Sequence, residues 1–432
     1  MRLRLITENR IVKNFSVLFM SDALVSIVGI LNMLMIINSI GSYNNGILLM
    51  VQTYVLLMSD IFNFQCFNGI VCYIPKFIKN RQQNSIKSYI NQALLLELIS
   101  GIVSFLVGQF LIASVANFMN WDSIIIIAVR FYLITNIINF TGTCTAVLRV
   151  FDEFKRISFI NIIIVVLRMI LYCIGFFRAS NVNYFILAEL LIDLTNKILN
   201  IVFMKKVLKK NNINKFFKLR CKFDNKFIKF NFYSNISQTI DIPVYHITTF
   251  IINKFLGFNE ITIFKVIQKI GSVIEKLGKP LNQIVYPEIS NYIAENDYKR
   301  VRKLSIRIFR VFSLIAIFAS FILVITNNLW QTIFFDKVSI SNLIVMIMYL
   351  VLLIFINSTT SIHAIFIALE LVKYNIPIQL IVNTIYLVIL VIFTVKFGLI
   401  GVIIARILQS LAITGIKSLI LIKKKVLDIK YI

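Results

Sequence analysis

The sequence predicts an all-α polytopic membrane protein of about 12 transmembrane helices, in two six-helix lobes related by a pseudo-two-fold axis along the membrane normal. Three observations lead to this prediction. First, 59% of the 432 residues are hydrophobic and the mean hydropathy is +0.86, whereas about 45–50% of a soluble globular chain is apolar. Second, basic residues collect in alternate loops. Third, the second half of the chain repeats features of the first.

Apolar runs follow one another along the whole chain. A spanning helix needs roughly 20 predominantly apolar residues. Runs of that kind predict spans near 14–40, 44–74, 88–113, 122–148, 157–177, 184–204, 230–256, 260–287, 306–328, 340–366, 374–396 and 398–421.

The loops between these runs alternate in charge. One set is rich in lysine and arginine and includes "KKVLKKNNINKFFKLRCKFDNKFIK" (205–229), whereas the other set is short and poor in cations, as in "GSYN" and "LGFNE". Cation-rich loops are expected in the cytoplasm, so both termini are predicted to lie there. The net charge of +26 is therefore assigned to topology and to contact with anionic membrane lipids, and nucleic acid is not an expected partner.

The two halves of the chain correspond in position. Pro75 and Pro287 each end a span at a charged loop, and "NFTGTCTAVLRVFDEFK" (139–155) precedes "NSTTSIHAIFIALELVK" (357–373) by 218 residues. We predict a gene duplication with the substrate site between the lobes, as in many transporters. The predicted domains are an N-terminal six-helix lobe at 1–210, a basic cytoplasmic linker at 211–229 and a C-terminal six-helix lobe at 230–432.

The sequence lacks motifs for enzymatic chemistry. It contains no P-loop, and its two histidines, His246 and His363, belong to no HExxH motif. The five cysteines show no CxxC or other paired spacing, so no metal site or disulfide framework is predicted. We expect a protein that is not an enzyme and has no cofactor, with H⁺ or Na⁺ as the candidate coupling ion.

A polar stretch interrupts the second predicted span. Asp60, Asn63, Gln65 and Asn68 fall within "SDIFNFQCFNGIVCYIP" (59–75), although an aspartate costs about 2.5–3.5 kcal/mol at the centre of a membrane helix. We expect these side chains to face a central cavity rather than lipid.

The predicted eighth span carries a row of cations. Lys265, Lys269 and Lys276 recur at helical spacing and so share one face. Lys265 and Lys279 alternatively snorkel to the two interfaces, with Glu275 neutralising Lys279. For Lys269 and Lys276 the cost of burying an unpaired ammonium favours a cavity that holds an anion such as phosphate.

Further charged residues lie within predicted spans. Three arginines either line the same cavity or form interhelical ion pairs with Glu97, Asp193 or Asp241, and the sequence leaves both alternatives open for Arg130, Arg168 and Arg406.

Several acidic residues have other predicted roles. Asp193 and Lys197 are spaced for an i,i+4 ion pair. Buried carboxyls that titrate or bind a cation are candidates for ion coupling, and these are Asp22, Asp60 and Asp241. Pro243 is predicted to kink the seventh span and act as a hinge.

Parts of the sequence resemble bacterial O-antigen flippases. "GILLMVQTYVLLMSDIFNFQCFNGIVCYIPK" (46–76) resembles the second-helix region of that family, although Cys66 and Phe67 stand where Ser-Trp is common. "AVLRVFDEFKRIS" (146–158) resembles the loop after the fourth span, and "IDIPVYHITTFIINKFLGFNEITIFKVIQKI" resembles the seventh and eighth helices. The resemblance runs along essentially the whole chain.

The resemblance implies a function in the bacterial inner membrane. It implies a flippase that moves an undecaprenyl-diphosphate-linked oligosaccharide from the cytoplasmic to the periplasmic leaflet, within the multidrug/oligosaccharidyl-lipid/polysaccharide exporter superfamily. A polysaccharide polymerase and a chain-length regulator are the implied partners.

One alternative is a multidrug or cation antiporter of the same superfamily, which would favour an acidic cavity. A second alternative is a polysaccharide polymerase, an enzyme that would require a long external loop, whereas the predicted external loops are short. A membrane scaffold is a third alternative.

Overall fold

The computed structural model describes residues 2–214, 216–218, 223–295, 297–335, 338–369 and 371–423, except for the side chains of 2–19, 22–23, 273–287, 294, 316, 367 and 372–373. Within these ranges the chain is almost entirely helical and has no β-strand. It divides into two compact units, Met1–Ile242 and Pro243–Ile432. The predicted all-α fold class is confirmed.

Each unit is a set of consecutive helices. The helices of the first unit are α1 (Arg2–Phe62), α2 (Cys66–Lys79), α3 (Gln83–Met119), α4 (Ser123–Tyr132), α5 (Ile134–Ile137), α6 (Thr141–Val150), α7 (Phe154–Phe177), α8 (Val182–Lys210) and α9 (Asn225–Thr239). Those of the second unit are α10 (Thr248–Leu256), α11 (Phe258–Ala294), α12 (Tyr298–Ile325), α13 (Asn327–Phe334), α14 (Ile340–Ser358), α15 (Thr360–Ala368) and α16 (Asn375–Lys423).

The described helices are those of a multi-pass membrane protein. Seven segments are long and apolar enough to cross a membrane: Leu24–Phe62, Gln83–Met119, Ser123–Val150, Phe154–Phe177, Tyr298–Ile325, Ile340–Phe366 and Asn375–Lys423. The last of these bends at Gly398 and covers two predicted spans. Large apolar side chains such as Phe110 and Phe177 are more than four-fifths exposed, as expected for helices that face lipid acyl chains.

The polar stretch at 59–75 forms a break between two helices. α1 ends at Phe62 and α2 begins at Cys66, so the predicted span 44–74 is not one helix. Asn63 Oδ1 accepts a hydrogen bond from the Gln65 amide at 2.8 Å, and Gln65 has a left-handed φ of 50°. Short polar side chains that bond to nearby backbone groups compete with helical hydrogen bonds, which explains the break.

A second break recurs at equivalent places in the two units. The predicted span 122–148 is interrupted between α5 and α6, and α6 begins at Thr141. The predicted span 340–366 is interrupted at Thr359, between α14 and α15. The two threonines are separated by the 218 residues of the sequence repeat. Gly41 (φ 77°) and Gly257 (φ 99°) likewise supply equivalent bends, with a backbone conformation that glycine adopts without strain.

Pro243 begins the second unit. The predicted span 230–256 is interrupted after α9, and Pro243–Ile247 forms a π-helical turn before α10. Proline has no amide hydrogen to donate to the preceding helical turn, and single π-helical turns are common at functional sites. The role of Pro243 as a hinge stays a prediction.

The segment between α8 and α9 packs against the start of α3. Asn91 Oδ1 accepts a hydrogen bond from the Lys218 amide at 2.7 Å, and the Tyr89 hydroxyl donates to Asp224 Oδ2 at 2.7 Å. Phe227 of α9 is fully buried in an apolar core with side chains of α2 and α3. The predicted lobe boundary at residue 230 falls inside α9, which lies in the first unit.

Candidate functional site

A buried ion pair joins α7 and α8 in the first unit. Arg168 Nε lies 2.8 Å from Glu189 Oε1, and Arg168 Nη2 lies 3.0 Å from Oε2. The Tyr172 hydroxyl also donates to Oε1, and Gln52 Nε2 donates to Oε2 at 3.1 Å. The Glu189 side chain is only 3% exposed. Its negative charge is balanced by the Arg168 guanidinium, and each of its two carboxylate oxygens accepts from two donors.

Asp193 lies one turn after Glu189 on α8. The Tyr132 hydroxyl donates to Asp193 Oδ2, and Lys197 Nζ donates to the Thr135 carbonyl at 2.6 Å. The predicted Asp193–Lys197 ion pair is therefore not formed, because α4 and α5 supply a closer partner to each group.

The three intramembrane arginines have different surroundings. Arg168 is paired, but with Glu189 rather than with any acid named from the sequence. Arg406 Nη1 donates to Gln409 Oε1 at 2.7 Å. Arg130 is exposed at the end of α4. Among the described contacts none of the three pairs with the candidate partners named from the sequence, and their place in a cavity stays a prediction.

Two of the three predicted cavity lysines are described. Lys265 and Lys269 lie half-buried on α11, with Lys265 Nζ 6.0 Å from the centroid of the Phe264 ring. Ser272 Oγ donates to the Lys269 carbonyl at 2.7 Å. The side chain of Lys276 lies outside the described residues, so its place in a cavity stays a prediction.

The other predicted site residues are distributed over both units. Asp60, Asn63, Gln65 and Asn68 are half-buried around the break between α1 and α2, and Asp241 is half-buried just before the π-helical turn. The side chain of Asp22 lies outside the described residues. Their predicted roles in substrate binding and ion coupling stay predictions.

Asn63 lines a small polar cavity in the first unit. The cavity has a volume of about 20 Å³ and is lined by Ser59, Asn63, Glu97, Ser100, Gly101, Ser104, Asn136, Asn139 and Gly142. The wall therefore consists of polar side chains and glycines, and its single ionisable group is Glu97.

A much larger pocket lies within the second unit, between α12, α14, α15 and α16. Its volume is about 790 Å³, within the range of about 300–1,000 Å³ that is usual for ligand sites. Its wall is formed by both apolar and hydroxyl side chains. The lining residues are Ser305, Ile306, Phe309, Phe355, Ser358, Thr359, Ser361, Ile362, Leu411, Thr414, Gly415, Ser418, Leu419 and Ile422.

Sequence reasoning missed the two cavities and gave Glu97 only a partial role. Glu97 was considered as an ion-pair partner, whereas it lines a cavity whose described residues include no cation. The hydroxyls of the large pocket are uncharged and therefore gave no signal in a search for intramembrane charge. The threonine and serine positions shared by 139–155 and 357–373 were the available clue, because Ser358, Thr359 and Ser361 come from the second copy.

Solved structures of transporters and of a lipid flippase share this fold. An inward-facing multidrug resistance MATE family transporter of the MOP superfamily superposes with a TM-score of 0.75 at 12% sequence identity, over 93% of this chain and 94% of that chain. The lipid II flippase MurJ, in an inward closed conformation, superposes with a TM-score of 0.67 at 15% identity, over 96% of this chain and 88% of that chain. An outward-facing MATE transporter of the same superfamily gives 0.63 at 13% identity, over 96% of each chain.

At these identities the comparisons define the fold. No protein-family model matches the sequence, and no curated protein sequence matches it. The chain therefore has the polytopic helical fold that MOP-superfamily transporters and the lipid II flippase share.

Proposed function

We propose that the protein flips an undecaprenyl-diphosphate-linked oligosaccharide of O-antigen type from the cytoplasmic to the periplasmic leaflet of the bacterial inner membrane, by ion-coupled alternating access. The shared fold supports a transporter, and the resemblance around "FNFQ" supports an O-antigen precursor as the substrate. The observation that carries the proposal is the large pocket of the second unit.

The wall of this pocket suits an amphipathic substrate. Phe309, Phe355 and Leu411 offer apolar contact to an acyl or prenyl chain. The hydroxyls of Ser305 and Ser358 are buried and have no hydrogen-bond partner within the described structure. A buried hydroxyl without a partner is costly. A side-chain rotation that turns either hydroxyl into the pocket would let an oxygen atom of a bound substrate become its partner.

The cations of α11 suit the charged part of the same substrate. A diphosphate carries negative charge that must cross about 30 Å of hydrocarbon. Lysine side chains such as Lys265 and Lys269 attract phosphate as point charges, and charge in a low-dielectric site acts over a longer range than in water. Arg130, Arg406 and Lys276 are proposed to contribute to the same path.

The proposed function includes a membrane topology and two partner proteins. Both termini lie in the cytoplasm, following the distribution of lysine and arginine among the loops. The exported oligosaccharide is then the substrate of a polysaccharide polymerase with its chain-length regulator, on the periplasmic face.

Deletion of the gene in its native bacterium tests the proposal. We expect loss of surface glycan and accumulation of lipid-linked oligosaccharide in the cytoplasmic leaflet, both reversed by the wild-type gene. Intact surface glycan without accumulated precursor would contradict the proposal. If the deletion instead raised drug sensitivity, the alternative of a multidrug antiporter, which the likeness to MATE transporters supports, would replace it.

A further inference from the structure

The first unit contains two buried glutamates with opposite surroundings. Glu189 faces Arg168 and accepts hydrogen bonds on both carboxylate oxygens. Glu97 is equally buried, with 3% of its surface exposed. Its Oε1 accepts one hydrogen bond, from the Thr143 amide at 2.8 Å, and its Oε2 has no partner within the described structure. An isolated carboxylate cannot stay ionised in such a place without a compensating charge.

Glu97, which carries the unpartnered oxygen, is among the residues that line the small polar cavity. No lysine or arginine is among the described residues that line this cavity. The titratable side chains that interact electrostatically with Glu97 are the thiols of Cys66 on α2 and Cys144 on α6. Neither thiol can supply a positive charge. The N-terminus of α6, where the Thr143 amide lies, supplies only a partial positive charge, so a bound ion or a proton is needed for full compensation.

The neutral groups around Glu97 present oxygen atoms. Asn136 Nδ2 donates to the Val55 carbonyl at 3.1 Å and to Ser104 Oγ at 3.0 Å. Asn139 Nδ2 donates to Ser59 Oγ at 3.1 Å. Within the described structure neither amide oxygen accepts a hydrogen bond, so both are available as ligands. Carbonyl, hydroxyl and carboxylate oxygens are the ligands of hard cations.

The size and charge of the cavity suit one small monovalent cation. Its volume of about 20 Å³ exceeds the roughly 10–15 Å³ needed for a water molecule. Gly142 keeps the space open, because a Cβ there would lie 2.6 Å from Glu97 Oε1. With a single carboxylate in the wall, a monovalent cation produces a neutral site.

Two helix breaks meet at this cavity. Asn63 lies in the break between α1 and α2, and Asn139 lies in the break between α5 and α6. Unwound segments of interrupted helices supply cation ligands in membrane transport proteins, because their polar groups are not used by the helix.

We propose that Glu97 and the polar cavity beside it bind one monovalent cation, either Na⁺ or a proton. The binding itself does not depend on the substrate proposed above, whereas a role in coupling transport rests on that proposed function. Binding is therefore tested on the purified protein without any glycan.

The experiment compares thermal unfolding of the full-length protein in lipid nanodiscs, in NaCl and in choline chloride at equal ionic strength, at about pH 8 and about pH 5.5. If the cation is Na⁺, NaCl raises the unfolding temperature of the wild type at the higher pH. If it is a proton, NaCl has no specific effect and acidification raises the unfolding temperature. In either case Glu97→Gln removes the response, and the control Glu260→Gln, a carboxyl-to-amide change in the second unit, keeps it.

Two results would overturn the proposal. One is a wild type that responds neither to Na⁺ nor to acidification, and the other is a Glu97→Gln variant that keeps the wild-type response. If Glu97→Gln does not fold, labelling of the wild type with dicyclohexylcarbodiimide replaces it, since this apolar reagent modifies protonated buried carboxyls. We expect modification of Glu97 that Na⁺ or a higher pH suppresses, and absent or unresponsive labelling would contradict the proposal.

Discussion

Arg168 Nε and Nη2 hold both oxygens of Glu189, at 2.8 Å and 3.0 Å, across the contact between α7 and α8. One of the arginines that was predicted either to line a cavity or to form an ion pair is thus neutralised inside the first unit. Glu97, in the same unit, has no such cation among the described residues around it. The charge of Glu189 is therefore used to hold two helices together, whereas the carboxyl of Glu97 is available for a ligand.

Glu189→Gln is expected to destabilise the protein strongly. Removing the Glu189 charge leaves Arg168, whose side chain is 30% exposed, without its counter-charge. Breaking a fully buried pair costs about 3–5 kcal/mol, so the loss is expected near the lower end of that range. The matched control is Glu153→Gln, which breaks the more exposed pair with Arg156 at 3.0 Å and is expected to cost less than about 1 kcal/mol. Unfolding free energies in mixed micelles measure both variants, and equal losses would show that the buried pair has no special role.

Gly142→Ala is expected to disturb the Glu97 cavity. The new Cβ would lie 2.6 Å from Glu97 Oε1, and overpacking of this kind costs about 1–3 kcal/mol. At Gly415 a Cβ would meet no atom within 4 Å, so Gly415→Ala should be neutral or stabilise its helix by up to about 1 kcal/mol. Denaturant titrations of the two variants check this, and a Gly142→Ala protein as stable as the wild type would mean that Glu97 moves freely.

A bulky residue at position 415 is expected to block transport. Gly415 lines the large pocket and has open space beside it, so the ring of Gly415→Phe would occupy volume needed by the substrate. We expect normal protein levels with surface glycan greatly reduced. The control Ile416→Phe changes the next residue, whose side chain is exposed and does not line the pocket, and it should export normally. Full glycan export by Gly415→Phe would remove this pocket from the substrate path.

Lys269→Ala is expected to weaken export roughly tenfold or more, because a hydrogen bond to a charged group contributes about 1.5–3 kcal/mol. Lys269→Arg keeps the positive charge and should retain most of the export. Lys209→Ala changes an exposed lysine at the C-terminal end of α8 and serves as the control. Surface glycan measured at equal protein levels distinguishes them, and unchanged export by Lys269→Ala would exclude this lysine from the site.

The contact between Tyr89 and Asp224 predicts a pH dependence outside the membrane. The hydrogen bond from the Tyr89 hydroxyl, with those from backbone amides at the start of α9, lowers the pKa of Asp224. A lowered folded-state pKa stabilises the protein above the unfolded value of about 3.9, and this stabilisation is lost as the pH falls through the folded-state pKa. Tyr89→Phe should therefore weaken the loss of stability at acidic pH.

The control for that prediction is Tyr184→Phe. The Tyr184 hydroxyl donates to the Leu171 carbonyl at 2.9 Å, which does not titrate, so this variant should lower stability by a similar amount at every pH. Unfolding measured between about pH 6 and pH 3 compares the two. Identical pH profiles for Tyr89→Phe and the wild type would show that the hydrogen bond does not control Asp224.

The helical architecture could be predicted from the sequence because lipid solvation imposes a simple rule. Each span needs a long apolar run, and these runs are visible without knowledge of packing. The offset of 218 residues relates the break before α6, which begins at Thr141, to the break at Thr359, although neither break was predicted from the sequence. The break at Asn63–Gln65 was not predicted, since it depends on a local hydrogen bond from a backbone amide to a side chain.

The candidate sites were harder to predict from the sequence, because pairing depends on which helices touch. Spacing along α8 suggested that Asp193 pairs with Lys197, but Tyr132 and Thr135 approach from other helices and bind them instead. Arg168 had several acidic candidates at similar depth, and only the contact between α7 and α8 identifies Glu189. None of the described residues that line the large pocket is charged, so a search for intramembrane ions could not find it.

Transbilayer movement of the lipid-linked oligosaccharide in reconstituted vesicles tests the central claim most directly. Undecaprenyl-diphosphate-linked oligosaccharide is labelled on its sugar, and its exposure on each face is followed with a membrane-impermeant reagent. The account predicts rapid exchange between leaflets in vesicles that contain the wild-type protein, and slow exchange in empty vesicles and in vesicles with Gly415→Phe. Exchange at the same slow rate in vesicles with and without folded wild-type protein would contradict it.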